Sequence, residues 1–321
     1  MKKFLLFLFT FLIILTFIAL TVNPAKYSAV CLSGLNVYAT TVLPALLPFI
    51  FLTLLLSNVI NSKVLAKVFN PVCKFLYREN GLLGYIQIMS FVSGYPIGAK
   101  LLSEFARKNA ISKSNAEKIS VCTSTSGPAF VIASVGAITL NDRFAGIILF
   151  MCHILSAVFN GIIFRKYAVY QPIPPLFTSN EKQKNLFYEC AFSCFTACLT
   201  VGVFVAFFFV FSQVLQDTKL LFPFEFLFSL LFKDTKKATA FVAGLIECTK
   251  GCVMMASTKG LLKLPLICAI ISFGGISVIV QSVAFLKQAN LSVKPFILGK
   301  LIQTITSFII CFLFCTFFGY C

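Results

Sequence analysis

The sequence predicts an all-α polytopic membrane protein with about seven transmembrane helices and two re-entrant hairpins, arranged as two inverted repeats with broken helices. Three observations support this fold class. Hydrophobic residues make up 59% of the 321 residues and charged residues only 12%, about half the charged fraction of an average soluble protein. Runs of about 20 apolar residues recur between short basic loops. Two pairs of similar motifs lie 150 and 148 residues apart.

Composition also narrows the classes of function. The formal charge of +17 comes from Lys and Arg residues in short loops, a distribution typical of membrane topology rather than of nucleic-acid binding. The 13 cysteines form no CxxC pair, and His153 is the single histidine of the chain, so no metal or other cofactor is predicted. The sequence also lacks GxSxG, HExxH and a nucleotide-binding loop, which argues against an enzyme. The expected surroundings are the lipid bilayer.

The N-terminal region, residues 1–36, is predicted to be an anchor span followed by an external loop. Lys2 and Lys3 precede an apolar run over residues 4–22 that is too long for a signal peptide. A second span covers residues 37–60. The basic segment that follows, residues 61–80, has apolar residues at helical spacing, which favours a cytoplasmic helix on the membrane surface.

Residues 81–99 have the length of a span but carry polar and helix-breaking residues. Basic residues flank the segment on both sides. If both flanks are cytoplasmic, the segment enters and leaves the membrane on the same side, which defines a re-entrant hairpin surrounded by protein or water.

The next helix, over residues 119–140, is predicted to be broken. Ser114 followed by Glu117 has the pattern of a capping box at its start. Proline and glycine in Ser124-Thr125-Ser126-Gly127-Pro128 interrupt the helical hydrogen bonds. Residues 141–143 form an external turn, residues 146–164 a returning span, and the first repeat ends at residue 170.

The second half has the same kinds of segment. A polar, proline-rich cytoplasmic linker, residues 171–189, joins it to the first half, and the second repeat covers residues 190–321. It contains a span at residues 190–215, a second polar hairpin within 222–256, a span over 264–286 broken at Ser272-Phe273-Gly274-Gly275, and a last span at 296–318.

Two matches relate the halves. Phe91-Val92-Ser93-Gly94 resembles Phe241-Val242-Ala243-Gly244, and the break around Gly127 resembles the one around Gly275. The two motifs are separated by 33 residues in the first half and by 31 in the second. An odd number of crossings between corresponding segments makes the repeats inverted. Paired interruptions at corresponding positions indicate the binding site of a transporter.

The candidate substrate-binding residues are small or polar groups at these interruptions, where broken helices present free N–H groups. Several have alternative interpretations: the glycines as packing kinks, Glu247 and Lys250 as a helical surface pair, Lys100 as an interfacial lysine. His153 is interpreted as a hydrogen-bonded buried residue, with a proton relay as the alternative. The candidates are Ser93, Gly94, Tyr95, Pro96, Lys100, Ser124, Ser126, Gly127, Pro128, Gly244, Glu247, Lys250, Ser272, Gly274, Gly275, Ser277 and Gln281.

Three stretches carry a resemblance to a known family: residues 91–100 (FVSGYPIGAK), 126–130 (SGPAF) and 272–278 (SFGGISV). They are similar to the sporulation integral membrane proteins of the YlbJ type, which carry nucleoside-recognition (Gate) domains. The resemblance covers roughly residues 40–318. Residues 247–250 and 278–281 depart from the family's second-half motifs, which affects the ligand more than the fold.

The resemblance implies a fold similar to concentrative nucleoside transporters and a place in the membrane around the forespore. It also implies transport of dipicolinic acid into the forespore, so the expected function is a secondary carrier for a small anionic or aromatic solute. Two alternatives stay open: a nucleoside transporter, and a structural subunit of a spore-membrane complex. Coupling to Na⁺ or H⁺ and homo-oligomer formation are also open.

Overall fold

The computed structural model describes residues 2–59, 62–167 and 185–320. These residues are mainly helical and include no strand, which confirms the all-α polytopic fold. Residues 171–184 of the predicted linker lie outside the described part. Within the described residues, five helical stretches are long and apolar enough to cross a membrane: Pro24–Val59, Arg143–Phe164, Leu186–Asp217, Lys263–Gln288 and Lys294–Phe318.

The predicted N-terminal span is a helix of 21 residues, Lys2–Val22, with an apolar part over Leu6–Val22. The remaining predicted span, the broken helix of the first repeat, contains the shorter apolar helix Ala129–Thr139. The helices of the first half are α1 (Lys2–Val22), α2 (Pro24–Val37), α3 (Leu43–Val59), α4 (Ser62–Tyr77), α5 (Gly81–Ser93), α6 (Ile97–Arg107), α7 (Lys113–Ile119), a π-helix (Ala129–Thr139) and α8 (Arg143–Phe164).

The prediction of an external loop before residue 37 is wrong. Helix α2 begins at Pro24, and a π-helical turn, Tyr38–Val42, joins it to α3 without a break. The side chain of Asn23 caps the helix by accepting a hydrogen bond from the N–H of Lys26 at 3.2 Å. Asparagine before a proline is a strong signal for a helix start, and it outweighs the polar composition of this segment.

The cap of α7 also differs from the prediction. Ser112, not Ser114, accepts the hydrogen bond at the helix start, from the N–H of Asn115 at 3.3 Å. The helix then ends at Ile119, and the chain is non-helical until Pro128. The first break is therefore longer than the sequence indicated.

The second half contains α9 (Leu186–Asp217), α10 (Phe222–Phe232), α11 (Thr235–Ile246), α12 (Cys248–Ala256), α13 (Lys263–Phe273), α14 (Gly275–Gln288) and α15 (Lys294–Phe318). The break at Gly274 lies where predicted. The second hairpin, formed by α11 and α12, turns at Glu247 and not at the candidate residue Gly244, which lies inside α11. Gly244 faces Gly251, where a Cβ would lie only 2.2 Å from the Gly244 Cα, so these glycines let the two arms pack closely.

The order of elements is the same in both halves: a long helix, a short helix, a hairpin, a broken helix and a final span. The equivalent long helices, and likewise the equivalent final spans, run antiparallel to each other. Near one end of the long helices the Tyr27 hydroxyl donates to Asp217, and near the other end Phe51 packs on Phe187. In the final spans α8 and α15, Asn160 bonds Gly299. Antiparallel equivalent helices are what an inverted repeat requires.

Polar contacts between the helix ends show where the chain returns. The side chain of Asn115, after the first hairpin, donates to Glu79, before it, at 3.2 Å. Both ends of this hairpin therefore lie on the same side of the molecule, as a re-entrant hairpin requires. Glu117 accepts from the N–H of Ser292 at 2.8 Å, which adds the α14–α15 loop to that side.

Candidate functional site

Each hairpin tip packs against the helix break of its own repeat. A Cβ on Gly94 would lie 2.7 Å from the Gly127 nitrogen, and a Cβ on Gly275 would lie 2.9 Å from the Cys248 nitrogen. Gly94 and Gly275 also have φ angles of 76°, a region that favours glycine. Both hairpins and both breaks thus meet at the centre through backbone contacts that a larger residue would prevent.

Tyr95 links the first hairpin tip to the second break. Its side chain is buried, and its hydroxyl donates to the carbonyl of Ile271 at 3.1 Å. A Cβ on Gly274 would lie 3.3 Å from its ring. The tip of one repeat therefore contacts the broken helix of the other.

Lys300, on α15, lies between the two breaks and is only 2% exposed. Its Nζ is 2.7 Å from the Tyr95 hydroxyl oxygen, 2.7 Å from the Ser124 carbonyl oxygen and 3.0 Å from the Ser272 carbonyl oxygen. The ammonium also lies 4.4 Å from the centroid of the Tyr95 ring. Sequence reasoning missed this residue because it stands seven residues into the last helix, where a lysine usually reaches the membrane surface.

His153, on α8, joins the same breaks. Its Nε2 accepts a hydrogen bond from the N–H of Ser126 at 2.9 Å, and its Nδ1 is 2.8 Å from the Ser272 hydroxyl oxygen. Because Nε2 accepts, a neutral imidazole carries its proton on Nδ1 and donates it to Ser272. The interpretation of His153 as a hydrogen-bonded buried residue is confirmed, while the proton relay stays a prediction.

A central cavity of about 50 Å³ lies between the breaks. It has room for one or two water molecules at about 30 Å³ each, so a solute requires it to widen. The Ser277 hydroxyl, 1% exposed, has no hydrogen-bond partner there. Both repeats contribute predicted residues to the lining: Tyr95, Ser126, Gly127, Glu247, Ser277 and Gln281.

Two larger cavities flank the central one. The first side cavity, of about 460 Å³, lies among the α2–α3 helix, the π-helix and α12, and it shares Phe130 and Thr249 with the central cavity. The second side cavity, of about 280 Å³, lies among α9, α14 and α6, and it shares Val201 and Gln281. Each side cavity uses the elements that correspond, in the repeat, to those of the other.

The predicted basic residues lie away from the central cavity. Lys100 lines the second side cavity with Pro96, and its Nζ is 2.6 Å from the Ser193 hydroxyl on α9. The Nζ of Lys250 is 3.2 Å from the side-chain oxygen of Gln213, also on α9. Their roles in solute binding stay predictions.

Glu247 caps α12 rather than pairing with the lysine ammonium. Its carboxylate accepts from the backbone N–H of Lys250 at 2.7 Å. The N-terminus of α12 therefore already has a side-chain hydrogen-bond acceptor.

Three other candidates have structural contacts. Ser93 bonds Thr53 and the Phe49 carbonyl on α3, whereas Ser124 contributes its carbonyl to Lys300. Pro128 precedes the π-helix. Across the described ranges, no group of three or more His, Cys, Asp or Glu side chains is arranged to hold a metal ion.

These features define a multi-pass, all-α membrane protein with paired interrupted elements around a buried polar centre. The chain is 27% identical over 298 residues to the sporulation integral membrane protein YlbJ of Bacillus subtilis (strain 168), a match that covers 84% of this chain and 73% of that protein. This similarity agrees with the resemblance to YlbJ-type proteins and with a multi-pass membrane protein. No family model matches the chain, and no solved structure matches it.

Proposed function

We propose that the protein is a secondary carrier for a small solute. The observation that carries this proposal is the central cavity, which lies where two helix breaks and two hairpin tips of an inverted repeat meet. Binding at the midplane between discontinuous helices of inverted repeats is the common arrangement of secondary transporters.

The two side cavities support alternating access. They lie on either side of the central cavity and are built from corresponding elements of the two repeats. Widening the passage through Phe130 and Thr249 would admit a solute from one side. Widening the passage through Val201 and Gln281 would release it on the other.

An anionic solute fits the positive groups beside the cavity, since the Glu247 carboxyl group in the lining is already engaged as the cap of α12. Lys300 brings a positive charge next to the cavity through Tyr95, and within the described residues no carboxylate forms an ion pair with it. Helix α14 begins at Gly275 beside the cavity, so its first N–H groups and the unpartnered Ser277 hydroxyl are available to a carboxylate. The family resemblance makes dipicolinate, moved into the forespore, the first candidate.

A nucleoside is the second candidate. The carboxylate of Glu247 and the amide of Gln281 both line the cavity, and such groups bind sugar hydroxyls well. The Gate-domain resemblance points the same way. A structural subunit of a spore-membrane complex is the alternative without transport.

Uptake by purified protein in liposomes tests the proposal. Radiolabelled dipicolinate should accumulate in protein-containing vesicles, and excess unlabelled dipicolinate should reduce this uptake. Uridine should neither enter the vesicles nor reduce dipicolinate uptake. The variants Gly127→Leu and Gly275→Leu should insert into the membrane but fail to transport, because a side chain there meets backbone within 2.9 Å. Uptake of uridine alone would favour the nucleoside reading, and vesicles that take up neither solute under an imposed Na⁺ or H⁺ gradient would favour a structural role.

A further inference from the structure

We infer that the ammonium of Lys300 is a built-in cation, which occupies the place where a carrier of this architecture would bind a free monovalent cation. It holds the two helix breaks and the first hairpin tip together without Na⁺ or K⁺. The inference concerns the coupling ion and goes beyond the proposed carrier function.

The hydrogen bonds of Lys300 match a charged ammonium. A protonated lysine has three N–H donors and no acceptor, and its Nζ has three oxygen atoms within 3.0 Å. Two are carbonyl oxygens, which only accept. The third, the Tyr95 hydroxyl, accepts from Lys300 because it donates its own proton to the Ile271 carbonyl. A neutral amine would place its lone pair against one of these oxygens.

The oxygens come from the places where membrane carriers bind cations. Ser124 lies in the unwound stretch of the first broken helix, and Ser272 lies in the last turn of α13, the first half of the second broken helix. Unwound carbonyls and C-terminal ends of half-helices carry partial negative charge, and they coordinate coupling ions in transporters. At this position the chain supplies its own positive charge.

Three other lysines that are buried or partly buried do not share this geometry. The Nζ of Lys250 contacts side-chain oxygens of Ser212 and Gln213, that of Lys100 contacts the Ser193 hydroxyl, and that of Lys237 pairs with Asp234 at 2.5 Å. Lys300 contacts backbone carbonyls of both repeats, which side-chain rotation cannot remove. Fixed backbone carbonyl oxygens around the ammonium distinguish a cation-binding site from an ordinary polar contact between side chains.

Two variants separate the effect of the Lys300 charge from the effect of the volume that its side chain fills. Lys300→Ala removes the ammonium and leaves room for an inorganic ion among the oxygens, whereas Lys300→Met removes the charge but fills the room. The thermal midpoint of each purified protein in detergent is measured in NaCl, KCl and choline chloride at equal ionic strength. Lys250→Ala serves as a matched control, because its lysine contacts only side-chain oxygens.

The wild-type protein should unfold at the same temperature in all three salts. Lys300→Ala should unfold earlier in choline chloride and be restored saturably by NaCl or KCl, by about 2 °C or more. Lys300→Met and Lys250→Ala should show no such recovery. Recovery of folded Lys300→Ala only when Na⁺ or K⁺ is present during purification would also support the site.

Saturable stabilisation of the wild type by Na⁺ or K⁺ would overturn the inference, as would a Lys300→Ala variant that ignores the cation or fails to fold in every salt. These measurements need no transported solute. They therefore fail or succeed independently of the carrier proposal.

Discussion

The Nδ1 atom of His153 lies 2.8 Å from the hydroxyl oxygen of Ser272, and this contact joins the last span of the first repeat to the broken helix of the second. The other ring nitrogen binds the N–H of Ser126 in the first break. One imidazole thus satisfies polar groups of both interrupted helices, where the bilayer offers no water to replace it.

His153→Phe should therefore destabilise the protein strongly. It leaves the Ser126 N–H and the Ser272 hydroxyl without this partner, at about 1–3 kcal/mol for each group. The measurement is thermal unfolding in detergent. Ser156→Ala is the control, because the Ser156 hydroxyl bonds only the His153 carbonyl of its own helix. Equal midpoints for the two variants would contradict the bridging role of the imidazole.

Gly275→Ala should cost more stability than Gly260→Ala. Both glycines have positive φ angles, 76° and 93°, so alanine is strained at either by about 1–2 kcal/mol. Only at Gly275 would the new Cβ meet backbone, at 2.9 Å from Cys248, whereas Gly260 has open space. The difference between the two unfolding midpoints measures the cost of disturbing the contact between the second hairpin tip and the second helix break. Coinciding midpoints would show that this contact tolerates an added methyl group.

The two flanks of the first hairpin should report from the same side of the membrane. Single cysteines replacing Lys67 and Lys108, both exposed, should react with an impermeant thiol reagent from the cytoplasmic side in a cysteine-depleted variant. A cysteine replacing Asn141 should react from the outside. The positive charge near the hairpin sets the expected orientation. Opposite accessibility of positions 67 and 108 would rule out the re-entrant hairpin.

Protein stability should fall as pH rises through the titration of Glu79. This side chain lies in the turn between α4 and α5, and burial raises its pKa from 4.5 to about 7. The folded protein binds the proton more tightly than the unfolded chain, so the stabilisation is fully present below pH 4.5 and is lost as pH approaches 7. Glu79→Gln should make the thermal unfolding midpoint less dependent on pH between pH 5 and pH 8. Glu189→Gln, at an exposed position, should leave the pH dependence unchanged. An unchanged profile in Glu79→Gln would contradict this assignment.

Lys100→Gln should weaken dipicolinate uptake more than Lys259→Gln. Lys100 lines the second side cavity, where its charge attracts an anion, whereas Lys259 is an exposed loop residue. Initial uptake rates at low and high salt measure the effect, because screening reduces an electrostatic contribution. Lys250→Gln extends the series to the second hairpin. Equal rates for all variants would favour a neutral solute.

Much of the architecture follows from local sequence signals. Apolar run length, basic flanks and the Gly274-Gly275 pair predicted the polytopic fold, the first hairpin and the second break, because these features depend on neighbouring residues. The Asn23-Pro24 pair signals a helix start, whereas the polar residues that follow it favour a loop. The hairpin break at Glu247 was misplaced because Gly244 matched Gly94 in sequence, although it packs inside a helix.

The centre of the site depends on contacts between distant segments, which local patterns do not encode. Lys300 is 205 residues from Tyr95 in the sequence, and His153 is 119 residues from Ser272. Nothing adjacent to Lys300 distinguishes it from a lysine that reaches the membrane surface. Only the antiparallel packing of the repeats brings these groups together.

The length of the paired long helices has a mechanical consequence. The helix over residues 24–59 has 36 residues and α9 has 32, about 54 and 48 Å at 1.5 Å per residue, against a hydrocarbon core of about 30 Å. Helices of this length must tilt or project beyond the lipid, and at one end a salt bridge of 2.7 Å between Lys26 and Asp217 joins them. Because hydrophobic mismatch changes helix tilt, the joined pair should tilt less in a thicker bilayer and more in a thinner one. Lipid acyl-chain length should therefore affect the angle between the two repeats.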